Sequence, residues 1–278
     1  TMWALDVPEG ALGTWNSYMA QIWDIVTQSP KEFMGGAIWP AIEQIFSVLQ
    51  GIGYGLLILF FAMSFFKQST SFRELRHPEQ VFRLFLRFVL AQAAITYGLE
   101  IINFIFEVTG GITSSIATSL GSLHEVAATL PDEIRTAAED ANIIQSVISG
   151  VVGLVFTGIV ICLSMMMLTK VYGRFFRVYL YVALAPLPLS AFGGELTSRH
   201  GRTFIQSFIG VCLEAAVIVL ACIVYSAFIS SNDLPSVDFG EGSIGMMVGY
   251  MAGVIFQMLI LLGIVSAADR VVKDMLAL

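Results

Sequence analysis

Long stretches of uncharged apolar residues constrain the fold of this chain more than any other feature. Two of them read VFTGIVICLSMMMLT and AAVIVLACIVYSAFI. Of the 278 residues, 56% are hydrophobic and 13% are charged, whereas a soluble domain has roughly 45–50% apolar and about 25% charged residues. A soluble fold of this length has too little interior to bury so many apolar segments. The sequence therefore predicts an all-α polytopic membrane protein.

Five segments are long enough to cross a bilayer as helices, which takes about 20 apolar residues each. Their predicted bounds are 44–66, 84–108, 146–169, 204–230 and 244–267. The segments between the predicted spans alternate in charge. Residues 67–87 and 170–202 are basic, whereas residues 119–144 and 231–243 are acidic. Short basic loops stay in the cytoplasm. We therefore predict a multi-pass protein with its N-terminus outside and its C-terminus in the cytoplasm.

Two prolines, Pro186 and Pro188, interrupt the apolar segment between the third and fourth spans. Basic residues that we assign to the cytoplasmic side flank this segment: Arg174, Arg177, Arg199 and Arg202. Residues 179–194 would rise only about 22 Å as a helix, less than the roughly 30 Å hydrocarbon core. Proline also disfavours helical geometry in the residue before it, so Ala185 and Leu187 are expected to leave the helix. We predict a re-entrant hairpin that breaks at the prolines. The alternative is a short, kinked sixth crossing.

Residues 1–40 are predicted to form an extracytoplasmic amphipathic segment before the first span. Apolar residues recur there at helical spacing, opposite a polar face; they are Leu12, Trp15, Met19, Ile22 and Val26. Such a helix is expected to lie at the membrane interface or to pack on a neighbouring subunit. Residues 41–278 contain no internal repeat and no low-complexity linker, so we predict a single transmembrane domain.

Polar residues within the predicted spans are candidates for a functional site, because an ionisable side chain there is costly unless it is paired or hydrated. Glu214 is about 16 Å along the fourth span, near the middle of the bilayer. It is predicted either to hydrogen-bond a neighbouring helix or to line a hydrated path, with an arginine such as Arg174 as a partner. Glu100 and Gln257 are further candidates for this intramembrane polar site.

A row of small residues in the fifth span predicts close helix packing. Gly245, Gly249 and Gly253 recur at every fourth residue, and such rows allow helices to approach closely. Gln257 continues the row and is able to hydrogen-bond across the contact. We predict that this face packs helices together and contributes to a homo-oligomer.

No spacing of residues in the sequence is typical of a catalytic or metal-binding site. The three histidines are dispersed and the three cysteines lie in apolar runs. No nucleophile–base pair and no phosphate-binding loop is recognisable. A net charge of −7 also argues against an extended surface for a nucleic-acid backbone. We therefore expect no enzymatic activity, no metal and no cofactor.

Two blocks near the proline segment resemble a known family. They read YGRFFRVYLYVALAPLPLSAFGGE and GRTFIQSFIGVCLEAAVIVLACIVYSAF, within residues 172–228. They are similar to the TrbL-like polytopic inner-membrane subunit of conjugative type IV secretion systems, in the versions carried by mobile elements of Gram-positive bacteria. The resemblance implies that Pro186, Pro188 and Glu195 form the family's break and turn. It also implies that Glu214 is the family's intramembrane acidic residue.

This resemblance implies a membrane platform or channel subunit for conjugation. Such a subunit takes part in passing a DNA–protein substrate across the bacterial cytoplasmic membrane, together with transport ATPases and other secretion subunits, as a homo-oligomer. Direct contact with nucleic acid is left open. The alternatives are a secondary transporter or small channel, in which a broken segment near a buried acid is also expected, and a purely structural scaffold. The transporter is disfavoured because no second broken segment mirrors the first.

Overall fold

The described part of the chain contains helices and no strands. The computed structural model describes residues 3–69, 78–120, 128–131, 136, 143–230 and 243–276. Its α-helices, in chain order, are α1 (Trp3–Thr27), α2 (Trp39–Ser69), α3 (Pro78–Thr96), α4 (Gly98–Leu120), α5 (Ile143–Leu184), α6 (Pro186–Ser190), α7 (Ser198–Ser230) and α8 (Ser243–Met275). Two short 3-10 helices, Phe33–Gly36 and Ala191–Gly193, accompany them.

Five helices in these residues are long and apolar enough to cross a membrane. The candidate spans are Trp39–Lys67, Gly98–Leu120, Val147–Leu184, Ser198–Phe228 and Ile244–Met275. Large apolar side chains cover their outer surfaces; Val48, Ile58 and Phe66 of α2, for example, are all exposed. Contiguous apolar surface of this kind mediates contact with lipid or with other proteins. The predicted all-α polytopic fold with five spans is thus confirmed, whereas the orientation of the termini stays a prediction.

The chain forms two compact units. The first consists of Thr1–Thr27, Thr113–Gly173 and Ala215–Ala268, and the second consists of Gln28–Ile112, Arg174–Glu214 and Asp269–Leu278. The second unit contains both the proline segment and Glu214, so it holds most of the residues that the sequence singled out.

In the first unit, helix α1 buries most of its predicted apolar stripe. Trp15 and Ile22 are almost fully buried. The Asn16 amide accepts a hydrogen bond from the backbone N–H of Ala128 and donates one to the Ala128 carbonyl, both at 3.0 Å. The Thr157 hydroxyl of α5 donates to the carbonyl of Val7 at 3.3 Å. Other residues of this chain therefore cover the apolar face of α1. The sequence had predicted that this face contacts the membrane interface or a neighbouring subunit.

In the second unit, α2 packs antiparallel to α3 and to the first half of α4. Successive contacts along α2 pair Phe61 with Phe88, Tyr54 with Thr96, Phe46 with Gly98 and Trp39 with Phe106. The span predicted at 84–108 is therefore divided between two helices, with Tyr97 between them. The division lies beside Gly98, where a β-carbon would be only 2.9 Å from the Phe46 ring. The missing side chain allows this close approach.

Helix α5 extends well beyond the third span predicted from the sequence. That span ended at residue 169, but the helix continues to Leu184 and contains 42 residues. It rises about 63 Å, roughly twice the thickness of the hydrocarbon core. The predicted end after residue 169 was wrong because Arg174 and Arg177 do not interrupt backbone hydrogen bonding. The first residue after it that lacks a backbone N–H is Pro186.

The break predicted at the prolines is present, but its geometry differs from the prediction. Helix α5 ends at Leu184 and α6 begins at Pro186. Ala185 keeps right-handed helical angles, φ −52° and ψ −37°, and Leu187 lies inside α6. The expectation that these two residues leave helical geometry was therefore wrong. A proline in the first turn of a new helix has a suitable φ and needs no hydrogen-bond acceptor. The chain becomes extended only at Gly194, with φ −108° and ψ 141°.

A candidate ion-pair site on helices α5, α7 and α8

Segments of three helices that belong to the second unit contribute charged side chains to one site. Helix α5 carries Arg174 and Arg177, which are three residues apart and therefore lie on the same face of the helix. Glu214 is in the middle of α7, inside the candidate span Ser198–Phe228. Asp269 belongs to the last turns of α8.

Arg177 is the centre of this site. Its Nη2 donates to both carboxylate oxygens of Glu214, at 2.7 and 2.9 Å, and its Nη1 lies 3.6 Å from Oδ1 of Asp269. Lys273 Nζ donates to Oδ2 of Asp269 at 2.8 Å. The Glu214 side chain is only 5% exposed, whereas that of Arg177 is 41% exposed. Arg177 thus joins α5 to α7 through a buried carboxylate and to α8 through a more exposed one.

Arg174 lies in the same site with two unpaired donors. It is 3% exposed, and no group in the described chain accepts a hydrogen bond from its Nε or Nη1. Its guanidinium lies over the Phe175 ring at 4.5 Å from the centroid, and Phe175 stacks on Phe33 at 4.0 Å. The sequence offered Arg174 as a partner for Glu214, but the structure pairs Glu214 with Arg177.

The proline segment packs on α2 in the same unit. A β-carbon on Gly53 of α2 would be 2.8 Å from the Pro186 carbonyl oxygen. Pro186 is buried and Pro188 is half-buried. After the turn, the backbone N–H of Glu195 donates to Oγ of Ser64 at 3.1 Å. The segment is therefore held against α2 at both ends of the break.

Glu195 also forms an ion pair with α3. Its Oε1 lies 3.7 Å from Nη1 of Arg87, and both side chains are well exposed. Exposed pairs of this kind contribute little to stability. The Glu195 backbone contact with Ser64 is therefore the stronger candidate for fixing the turn.

The remaining predicted residues lie outside the ion-pair site. Glu100 is exposed in the first turn of α4, and Gln257 is buried in α8. In the glycine row, Gly253 is buried, whereas Gly245 and Gly249 are half-buried. Arg199 and Arg202 are exposed near the beginning of α7. Their functional roles stay predictions.

Sequence reasoning missed Asp269 and Lys273. Both follow the last predicted span, which ended at residue 267, and their four-residue spacing is typical of a helical ion pair. The three-residue spacing of Arg174 and Arg177 was a second signal, since it places two cations on one face. Within the described residues, no group of three or more His, Cys, Asp or Glu side chains could hold a metal ion.

The fold and this site define a multi-pass helical membrane protein in which buried charges join helices. The profile of the family described as TrbL/VirB6 plasmid conjugal transfer like protein matches residues 15–186, more than half of the chain. The chain belongs to this family and is therefore a membrane component of a conjugal transfer apparatus. No curated protein and no solved structure matches the chain.

The matched residues overlap only partly with those that carried the resemblance in the sequence. The match includes Arg174, Arg177 and Pro186 but ends there. Pro188, Glu195 and Glu214 lie beyond it. The family is confirmed, whereas the roles that the resemblance implied for Pro186, Pro188, Glu195 and Glu214 stay predictions.

Proposed function

We infer that this protein is a platform or channel subunit of a conjugative type IV secretion system in a bacterial cytoplasmic membrane. It takes part in moving a DNA–protein substrate, acts with transport ATPases and other secretion subunits, and forms a homo-oligomer. It has no enzymatic activity of its own. The observation that carries this inference is the family match over residues 15–186.

The length of the helices supports a role in assembly with other subunits. At about 63 Å, α5 is longer than the hydrocarbon core requires, so part of it extends beyond the bilayer. An extended, partly exposed helix of this kind offers surface to partners outside the lipid. A helix that only crossed the membrane would need about half the length of α5.

The contacts of Glu214 support a structural role within this subunit. Both carboxylate oxygens accept hydrogen bonds from Arg177, and the side chain is almost fully buried. An acid that lined a hydrated path would face water with at least one oxygen. Glu214 thus acts as a tie between α5 and α7.

Co-purification from donor cells tests the proposed function. An affinity tag is placed on the chain at its native locus, membranes are solubilised in mild detergent, and the retained proteins are identified by mass spectrometry. The expected result is recovery of a transfer ATPase and other secretion subunits. The same tag on an unrelated multi-pass membrane protein of that cell is the control. Purification of the chain alone, together with thermal stabilisation by a small solute, would instead indicate a transporter.

A further inference from the structure

The ion-pair site contains two arginines and two acids, but its contacts are unevenly distributed. Arg177 contacts both Glu214 and Asp269, while Arg174 is buried with no acceptor for its Nε or Nη1 in the described chain. A buried guanidinium with unpaired donors is costly, because its desolvation is not compensated. A different pairing of the same side chains would give each arginine one acid.

The carboxylate of Glu214 is the group placed to provide that pairing. Arg174 lies on the same face of α5 as Arg177, which is the present partner of Glu214. The present contact of Glu214 with Arg177 uses only Nη2 for both oxygens, whereas the strongest arginine–carboxylate geometry uses two parallel N–H donors. The observed contact is therefore not the best one available to this carboxylate.

We propose that Glu214 exchanges between Arg177 and Arg174, so that the site is a two-state contact between α5 and α7. In the second state Arg174 pairs with Glu214, and Arg177 keeps Asp269. Lys273 stays with Asp269 in both states. The inference does not depend on the proposed function, since it concerns only the contacts among these side chains.

The exchange moves the tie between α5 and α7 by about one helical turn. Arg174 and Arg177 are separated by a rise of about 4.5 Å along α5, while the contact of α5 with α8 through Asp269 is retained. Displacement of one element past another by about a turn is an established form of switching between two packed states. The site thus allows α7 to change its register on α5 without leaving a carboxylate unpaired.

A cycle of methionine variants tests the exchange, because methionine keeps much of the length of arginine and removes its donors. The full chain is purified in detergent as the variants Arg174→Met, Arg177→Met and the double variant, and thermal unfolding midpoints are measured. If Glu214 exchanges, Arg177→Met lets it pair with Arg174, and Asp269 keeps Lys273. Both single variants should then melt within a few degrees of the wild type. The double variant should melt roughly 10 °C lower, because Glu214 has no partner left.

Arg270→Met is the matched control, since Arg270 is an exposed arginine of α8 outside the site. It should melt with the wild type. An Arg177→Met midpoint as low as that of the double variant would overturn the proposal, because Glu214 would have failed to use Arg174. Failure of Arg177→Met to accumulate while Arg174→Met accumulates has the same meaning. A double variant as stable as the wild type also overturns it, since Glu214 would then need neither arginine.

Discussion

A buried acid in an apolar helix is tolerated here because an arginine on the next helix satisfies it. Glu214 is almost fully buried, and both of its oxygens accept hydrogen bonds from Arg177. Breaking such a pair from one side costs more than exchanging it for a neutral hydrogen bond, because an unpaired buried charge remains. The side chain at position 214 therefore contributes to the contact between α5 and α7.

Substitutions at Glu214 distinguish a structural role of this residue from a requirement for its negative charge. Glutamine keeps the shape and an acceptor for Arg177, so Glu214→Gln should retain most conjugal transfer. Glu214→Leu removes both acceptors and should destabilise the protein by roughly 3 kcal/mol, with a large loss of transfer. Mating frequency and membrane abundance are measured for each variant.

Glu107→Gln is the control for these variants, because Glu107 is an exposed acid of α4 outside the candidate site. It should transfer like the wild type. Loss of transfer by Glu214→Gln at normal abundance would mean that the charge itself is required. Normal transfer by Glu214→Leu would show that this residue has no special role.

At the scale of the helices, the contact of the proline segment with α2 depends on a glycine. Gly53 lets the backbone of Pro186 approach so closely that a β-carbon would lie 2.8 Å from its carbonyl oxygen. The obstacle is backbone and not the end of a flexible side chain, so one of the two elements would have to move. Gly51 is on the same helix, and a β-carbon added there would have no described atom within 4 Å.

These two glycines give a matched pair of variants. Gly53→Ala should destabilise the protein by about 1–3 kcal/mol, because it overpacks the contact with Pro186. Gly51→Ala should be neutral or stabilising by up to about 1 kcal/mol, since alanine favours helix over glycine. Thermal unfolding in detergent measures both. Equal midpoints for the two variants would contradict the close packing of the proline segment on α2.

The sequence predicted the helices better than it predicted where they end or bend. Hydropathy found the number of spans, because apolar runs are visible in the sequence. It placed the second span at 84–108, whereas the candidate span is Gly98–Leu120. It ended the third span at residue 169, since basic residues mark loops in hydropathy reasoning but do not break helical hydrogen bonds. The interruption at Tyr97 was missed for a different reason. It lies beside the contact of Phe46 with Gly98, and that contact joins residues far apart in sequence.

The candidate site was also predicted only in part. Glu214 was identified because a lone acid in an apolar run is visible without a structure. Its partner was not, because Arg174 and Arg177 are equivalent in hydropathy and only packing decides between them. Asp269 was missed because it lies at the polar end of a span, where acids are ordinary.

At the scale of the whole molecule, orientation in the membrane rests on the charges of the connections. The predicted cytoplasmic segments are basic and the predicted outer segments are acidic. Cysteines are introduced singly into a cysteine-free variant at Ser198, Ala137 and Ser236, of which the last two lie outside the described residues. An impermeant maleimide should label residues 137 and 236 in intact cells but not residue 198. Labelling at 198 would favour a sixth crossing over the re-entrant hairpin.

Assembly of several copies is a second property of the whole molecule. The glycine row in α8 predicts close packing, so Gly249→Leu should reduce the oligomer size measured by native mass spectrometry. Gly55→Leu is a useful comparison, because Gly55 is exposed on α2 with open space around it. An effect of Gly55→Leu alone would assign the contact between copies to α2. An unchanged oligomer with Gly249→Leu would mean that the row packs only within one subunit.

Mating frequency shows whether this chain is a membrane component required for conjugal transfer. The gene is deleted in frame in a donor strain, and the full chain is supplied again from a second plasmid. We predict that the deletion reduces transfer to the level of a donor without a working transfer system and that the supplied chain restores it. Growth and the abundance of the other transfer proteins should not change. Wild-type transfer by the deletion strain would contradict a required role of this chain in conjugal transfer.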